Sequence, residues 1–207
     1  MLLPRCRRLL AVLAAAFLAL APLAASAAEA APAEQVQTVD GALLEAMKQA
    51  KELGFEGRYK LLEPVLDKVF DFAYMAQIAV GRHWNQLDDG QRQALVDAFG
   101  KMSVATFASR FDGYSGEKFE VGDTRDGPRG TKLVINRLIK TSGEAVPINF
   151  LLRDDDGGWR IIDILLEAKY SELATKRSEY TAVVENQGFD KLLQLLGDKI
   201  AELRAKG

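Results

Sequence analysis

The side chains that nucleophilic or acid–base catalysis needs are few in this sequence. The 207 residues include one histidine, His83, and one cysteine, Cys6. A histidine-based catalytic triad must therefore use His83, and a thiol nucleophile must use Cys6. His83 lies between Arg82 and Trp84 at the end of a predicted helix, where a histidine commonly interacts with free carbonyl groups. We therefore expect a structural role for His83.

Three consecutive carboxylates, Asp154, Asp155 and Asp156, are the most acidic cluster that could bind a metal. Two glycines follow them at once, and strand-like patterns lie on both sides, which is typical of a hairpin loop. A calcium loop needs further oxygen ligands at longer spacing, including a distal glutamate, and these are missing. We expect a turn here, and neither a metal site nor a cofactor.

Asp163 is a carboxylate inside a predicted strand, on the same side as Trp159 and Ile161 if the strand is regular. A carboxylate that faces a core must be paired or must change its pKa. It could serve as the acid of a small cone-fold enzyme that acts on an apolar substrate, with His83 as the other candidate. An edge position or an arginine partner is the more frequent explanation.

Large apolar side chains come from both the predicted helices and the predicted strands. Most are expected to form ordinary core, but a hollow core of the same composition would hold an acyl chain or a flat polycyclic molecule. The candidate lining residues are Phe72, Met75, Ile78, Trp84, Phe99, Met102, Phe107, Phe111, Ile135, Ile148, Phe150, Trp159, Ile161 and Tyr170.

The elements that position these residues begin with helices. Apolar residues recur every three or four positions over residues 36–53 and 61–70, with Gly54 and Gly57 between the two segments. Asp71 can cap a third helix that ends near Arg82. Asp88 and Gln91 have capping-box spacing and predict a fourth helix that ends near residue 111.

After residue 113 the pattern changes to β-branched and aromatic runs over residues 118–121, 131–140, 145–153 and 159–166. We predict a four-stranded antiparallel meander. In its third strand Val146, Ile148, Phe150 and Leu152 alternate with Pro147, Asn149, Leu151 and Arg153, which gives one strongly apolar face. Helical spacing returns over residues 170–186 and again from residue 189. The resulting α+β fold is cone-like, with N-terminal and C-terminal helices covering the sheet and an internal apolar pocket.

The N-terminus has the layout of a secretory signal peptide, with a basic stub, an apolar run over residues 9–20 and a small-residue cleavage pattern. We predict removal of residues 1–27, which takes away Cys6, then a flexible leader over 28–34 and one domain over 35–207. Loss of three arginines changes the formal charge from −2 to −5. The sequence contains no basic stripe of the kind that binds nucleic acid, so we expect no nucleic-acid partner.

An ordered set of short motifs spans nearly the whole predicted mature chain. They are Pro64-Val65-Leu66, Phe70-Asp71-Phe72, Met75-Ala76, Gly81-Arg82-His83-Trp84, Gln91-Arg92, Phe99, Gly158-Trp159-Arg160-Ile161-Ile162-Asp163-Ile164, Glu179-Tyr180, Gly188-Phe189-Asp190 and Leu192-Leu193. This set resembles the toluene-tolerance, or Mla-type (MlaC-like), family of periplasmic lipid carriers. The resemblance implies a soluble periplasmic protein that carries lipid between an inner-membrane transporter and an outer-membrane acceptor.

One segment departs from that family. Phospholipid carriers of this type show a Gly-Val-Ser-like segment after the position of Ile164, whereas this chain has residues 165–170, Leu-Leu-Glu-Ala-Lys-Tyr. The departure resembles the hopanoid-associated HpnM branch, so the resemblance implies either a phospholipid or a hopanoid as ligand. We expect a non-enzymatic lipid shuttle with transient contacts to membrane proteins. A small enzyme and a protein-binding adaptor with a filled interior are the alternatives.

Overall fold

The computed structural model of the protein describes residues 24–155 and 158–207. These residues form an α+β fold in which helices pack on an antiparallel sheet. The helices are α1 (Ala24–Lys48), α2 (Ala50–Val69), α3 (Phe72–Val80), a 3-10 helix (Gly81–Gln86), α4 (Asp89–Arg110), a 3-10 turn (Pro128–Gly130), α5 (Glu172–Gln187) and α6 (Phe189–Lys206). The strands are β1 (Lys118–Asp126), β2 (Lys132–Ile139), β3 (Ala145–Asp155), β4 (Gly158–Leu166) and β5 (Tyr170–Ser171).

The sheet has the order β1-β2-β3-β4-β5, with all neighbours antiparallel. The prediction of a meander was therefore right in direction, but the prediction of four strands was wrong. The fifth strand is short and pairs Tyr170 with Leu166 and Ser171 with Leu165. A three-residue loop over residues 167–169 connects the two strands, with Glu167 and Ala168 both at positive φ (50° and 62°). Because neither residue is a glycine or asparagine, the sequence carries no turn signal there.

One face of the sheet is buried under the helices. Val134, Phe150 and Ile164 lie directly opposite one another on β2, β3 and β4. Val134 and Phe150 are fully buried, as is Leu152 two residues further along β3. The alternation predicted for β3, with one strongly apolar face, is confirmed.

A β-bulge between β3 and β4 changes which side chains of β4 face the core. Ile161 pairs with Leu152, but Asp163 pairs with Leu151, so Ile162 is the extra residue. Since Leu151 and Leu152 point to opposite faces, Ile161 and Asp163 do so as well. The expectation that Asp163 shares a face with Ile161 and Trp159 was wrong for this reason.

The first two helices differ from the expected boundaries. α1 begins at Ala24 and so includes residues 28–34, which the sequence suggests as a leader. α2 already begins at Ala50, and Gly54 lies within it at φ 56° and ψ −170°. A glycine accepts this conformation without the steric cost that a side chain would add. The predicted signal peptide falls mainly on residues 1–23, outside the described part of the chain.

The starts of α3 and α4 were predicted correctly from their side-chain caps, whereas the predicted start of α5 at residue 170 was wrong because Tyr170 and Ser171 form β5. The Asp71 carboxylate accepts a hydrogen bond from the backbone N–H of Tyr74 (3.0 Å) at the start of α3. Asp88 accepts from the Gln91 N–H (2.8 Å), and the Gln91 side chain accepts from the Asp88 N–H (3.0 Å). These caps satisfy N–H groups that a helix leaves free at its first turn.

Aromatic rings connect the helices that cover the sheet. The rings of Phe70 and Phe72 are stacked at 5.4 Å, and Phe99 contacts both Phe72 (6.3 Å) and Tyr180 of α5 (6.2 Å). Phe107 packs edge-on to Phe70 at 5.9 Å. The core therefore runs without interruption from α2 through α4 to α5.

Within the described ranges, no helix is both long and apolar enough to span a bilayer.

Candidate ligand-binding cavity

A cavity of about 170 Å³, partly open to solvent, lies between α4, α5 and the buried face of the sheet. Its lining is mostly apolar and comes from α3, α4, α5, β3 and β4. The lining residues are Met75, Phe99, Met102, Ser103, Thr106, Phe107, Arg110, Phe111, Ile148, Ile164, Leu166, Glu172, Leu173, Lys176 and Tyr180.

The α4 wall is less polar than its sequence suggests. Ser103 and Thr106 line the cavity, but their hydroxyls donate to carbonyls of their own helix, those of Phe99 (2.8 Å) and Met102 (2.8 Å). The hydroxyl protons are thus used within the helix. The wall therefore presents mainly hydrocarbon to a ligand.

The α5 wall is held in place by a carboxylate outside the cavity. Asp163 on β4 accepts hydrogen bonds from the Ser171 hydroxyl (2.5 Å) and from the backbone N–H of Leu173 (2.9 Å). It also accepts from the N–H of Ile164 (2.8 Å). Burial is the main cause that raises the pKa of Asp163, and these hydrogen bonds oppose the rise. Asp163 thereby fixes the first turn of α5, which carries Leu173 into the cavity wall.

Charged side chains surround the mouth of the cavity. Arg110 is the last residue of α4, and Glu172 and Lys176 lie one turn apart on α5. The Lys176 ammonium is 3.2 Å from the carboxylate of Glu179 and 5.9 Å from the centroid of the Tyr180 ring. The cavity thus combines an apolar interior with a rim of two cations and one anion.

Six of the predicted ligand-contacting residues are brought together around this cavity. They are Met75, Phe99, Met102, Phe107, Phe111 and Ile148. Their role in binding a lipid remains a prediction.

The other predicted lining residues lie elsewhere. Phe150 and Ile161 are fully buried in the core. Ile78, Trp84 and Trp159 are partly buried against that core, and Ile135 is half-buried on β2. Tyr170 is 56% exposed on β5. Phe72 is buried and faces a separate, more polar groove between α2, α3 and α4.

Sequence reasoning missed the α5 wall and part of the sheet wall. Leu173 and Tyr180 are the buried residues of α5, seven positions apart on one helical face. That spacing was a usable signal. Ile164 and Leu166 reach the cavity because of the bulge, which sequence periodicity does not reveal.

The candidates for catalysis do not meet at the cavity. The Nε2 atom of the buried His83 is 3.4 Å from the carboxylate of Glu185, which also pairs with Arg82 at 2.6 Å. Asp163 accepts hydrogen bonds from Ser171 and Leu173 at the start of α5, so among the described residues the expected arginine partner was wrong. The expected edge position fits, because β5 pairs with β4 only at Leu165 and Leu166. Asp154 and Asp155 end β3, and Asp156 lies outside the described residues. Among the described residues, no cluster of three His, Cys, Asp or Glu side chains could hold a metal ion.

These features define an α+β protein whose helices enclose an apolar cavity against one face of an antiparallel sheet. The family model of the MlaC protein matches residues 37–198, and the chain therefore belongs to the MlaC family. No curated protein matches the sequence.

A solved structure of similar fold is that of a phospholipid-binding protein from Ralstonia solanacearum in complex with a phospholipid. It has 21% sequence identity to this chain and a TM-score of 0.73. The match covers 83% of this chain and 98% of that chain. At this identity the likeness establishes the shared fold.

Proposed function

We propose that the protein is a non-enzymatic lipid carrier of the periplasm, with lipid tails bound in the cavity between α4, α5 and the sheet. The observation that carries this proposal is an apolar cavity with a charged rim in a chain of the MlaC family. The phospholipid bound by the Ralstonia solanacearum protein of similar fold supports a lipid ligand.

The need for such a cavity follows from the cost of exposing hydrocarbon to water. Each methylene in water costs about 0.8 kcal/mol, so a lipid with some thirty methylenes faces a barrier on the order of 25 kcal/mol. A carrier lowers this barrier by offering an apolar wall in place of water. It does not have to bind lipid more tightly than a bilayer does, because transfer takes place on contact with donor and acceptor proteins.

The size of the cavity indicates how lipid must enter. An engineered cavity of about 150 Å³ accommodates a molecule as small as benzene. A cavity of about 170 Å³ is of that order and is too small for two acyl chains. We infer that the cavity widens on loading. The part of α5 beyond its anchored first turn is the element suited to move, because Tyr180 is its only buried residue among those described.

The route and the ligand follow from the family resemblance. We propose that the protein takes lipid from an inner-membrane transporter component and delivers it to an outer-membrane acceptor, with transient protein contacts. Its ligand is a phospholipid or a hopanoid. The segment 165–170, which suggests the hopanoid branch, forms the β4–β5 hairpin, and its Leu166 lies in the cavity wall.

Native mass spectrometry of protein purified from its host tests the proposal. A bound mass that extraction identifies as a lipid is the expected result. Thr106→Phe, which adds a ring to the α4 wall, should reduce lipid uptake from vesicles at least several-fold because it fills the cavity.

Ser178→Phe is the matched control, since Ser178 is exposed on α5 and does not line the cavity. It should leave uptake unchanged. Folded wild-type protein that carries no lipid and takes none from vesicles would disprove the proposal, as would equal uptake by Thr106→Phe and the wild type.

A further inference from the structure

We propose that Arg110 and Lys176 form a binding site for the phosphate of a glycerophospholipid at the mouth of the cavity. This inference rests on the proposed lipid-binding function and specifies the chemical class of its ligand. It favours a phosphate-bearing lipid over an uncharged polycyclic one.

Arg110 is available for such a ligand. It is exposed at the end of α4 and lines the cavity, and it forms no ion pair or side-chain hydrogen bond with any described residue. A guanidinium has a planar arrangement of N–H donors that matches phosphate oxygens. An unpaired arginine beside an apolar cavity is therefore placed to bind the phosphate of a lipid whose tails lie inside.

Lys176 supplies the second positive charge from the opposite wall. Its side chain is only 29% exposed, so its stem packs along the apolar lining and its ammonium reaches the mouth. Its one ion pair, with the exposed Glu179, is a surface pair of adjacent helical turns and holds the ammonium weakly. A phosphate oxygen can therefore replace Glu179 as its partner.

Side chains are better placed than the backbone of α5 to bind this phosphate, because two N–H groups in the first turn of α5 already have partners. The N–H of Leu173 donates to Asp163, and the N–H of Ala174 donates to the Ser171 hydroxyl (2.8 Å). Glu172 is the carboxylate of the rim and opposes an anion there. Among the lining residues there are two cations and one anion, so the lining itself carries a net positive charge at neutral pH, while Glu179 lies outside it.

The basic residues of the sheet offer a contrast. Lys118 and Arg137 both pair with Glu120 (2.7 and 3.3 Å), and Lys140 pairs with Glu144 (3.0 Å). Neither they nor Lys132 line the cavity. Arg110 and Lys176 are the two cations among the lining residues of the cavity. They are therefore the basic side chains placed to contact the phosphate of a lipid bound there.

Uptake of labelled lipid from vesicles tests the site with two probes that have identical acyl chains, phosphatidylglycerol and diacylglycerol. The test variant is Arg110→Gln with Lys176→Gln, which removes both charges and keeps side chains of similar polarity. The control variant is Lys51→Gln with Lys60→Gln, which changes the net charge equally at exposed positions of α2.

Wild type and control should take up phosphatidylglycerol about tenfold better than diacylglycerol, and the test variant should lose this preference. Equal preference in the test variant and the control would overturn the site and leave the lipid-carrier function intact. Failure of the wild type to take up either lipid would overturn both. Binding of inorganic phosphate at Arg110 and Lys176 without lipid uptake would show a free-phosphate site and also overturn the proposal.

Discussion

The Ser171 hydroxyl donates a hydrogen bond of 2.5 Å to the carboxylate of Asp163, and this contact joins the sheet to the wall helix of the cavity. Ser171 is also the N-cap of α5, where its oxygen accepts from the N–H of Ala174. Asp163 accepts in addition from the buried N–H of Leu173. One carboxylate on β4 therefore determines where α5 starts and how it faces the cavity.

We expect Asp163→Ala to lower the free energy of unfolding by about 3 kcal/mol. The change leaves the buried N–H of Leu173 without a partner and removes the acceptor of the Ser171 hydroxyl. Ser171→Ala should cost only about 1 kcal/mol, as loss of an N-cap typically does. Urea unfolding of both variants checks this. Equal costs for the two would contradict the assignment of Asp163 as the main anchor.

Asp40 should make stability depend on pH. It lies on α1, where Oδ1 accepts from Nδ2 of Asn136 (3.0 Å) and the buried Oδ2 has no hydrogen-bond partner among the described residues. Burial raises the pKa of Asp40 from 3.8 to about 7, and the hydrogen bond from Asn136 opposes this. Since the folded state holds the proton more tightly than the unfolded state, stability falls as pH rises from about 4 to about 7.

Asp40→Asn tests this because an asparagine cannot ionise and resembles the protonated carboxyl. The variant and the wild type should have similar free energies of unfolding at pH 4. At pH 8 the variant should be more stable by up to about 4 kcal/mol. Chemical unfolding across this pH range measures the difference, and a difference that is constant with pH would refute the role of Asp40.

The β4–β5 turn stores strain that a designed turn should remove. Glu167 and Ala168 both occupy the left-handed region, where a side chain costs roughly 1 kcal/mol or more per residue. Glu167→Asn with Ala168→Gly provides the residues that such a turn prefers and should raise the free energy of unfolding by about 1–2 kcal/mol. Gly143→Ala is the reverse control. Its φ is 85° with open space around it, so the expected loss of about 1 kcal/mol is purely a backbone effect. A neutral or destabilising turn variant would argue against the strain.

The parts of the fold that the sequence predicted are those set by local patterns. The caps at Asp71 and Asp88 and the alternation along β3 depend on neighbouring residues, and all three were correct. The fifth strand was missed because Glu167 and Ala168 adopt a turn conformation against their intrinsic preference. The pairing of β5 with β4 and the hydrogen bond from the Glu167 N–H to the Pro147 carbonyl (3.2 Å) stabilise that conformation, and neither is a local property.

Part of the cavity lining was predictable because it, too, follows a local sequence pattern. Phe99, Met102 and Phe107 follow helical spacing along α4, so a regular pattern places them on one wall. The sheet wall depends on the bulge beside Ile162, which exchanges the faces of β4. Strict alternation along β4 would place Ile164 on the opposite face from Ile161, whereas the bulge puts both on the buried face, and this could not be predicted from the sequence.

Arg58 provides the last prediction, because it fixes the end of α4 that carries the cavity rim. It is 2% exposed, and its guanidinium donates to the carbonyls of Ala108 (2.9 Å) and Ala50 (3.0 Å). The Ala108 carbonyl belongs to the last turn of α4, where helical partners run out. Arg58→Met should leave both carbonyls unsatisfied and lower the free energy of unfolding by about 2–4 kcal/mol.

Arg58→Lys should recover little of this loss, since one ammonium cannot replace two donors of a planar guanidinium. Because Arg110 follows Ala108 by only two residues, a frayed end of α4 also displaces the rim. Both variants should therefore lose hydrogen-exchange protection at the C-terminal turn of α4 and show reduced preference for phosphatidylglycerol over diacylglycerol. Full protection of that turn in Arg58→Met would show that α4 ends where it does without Arg58.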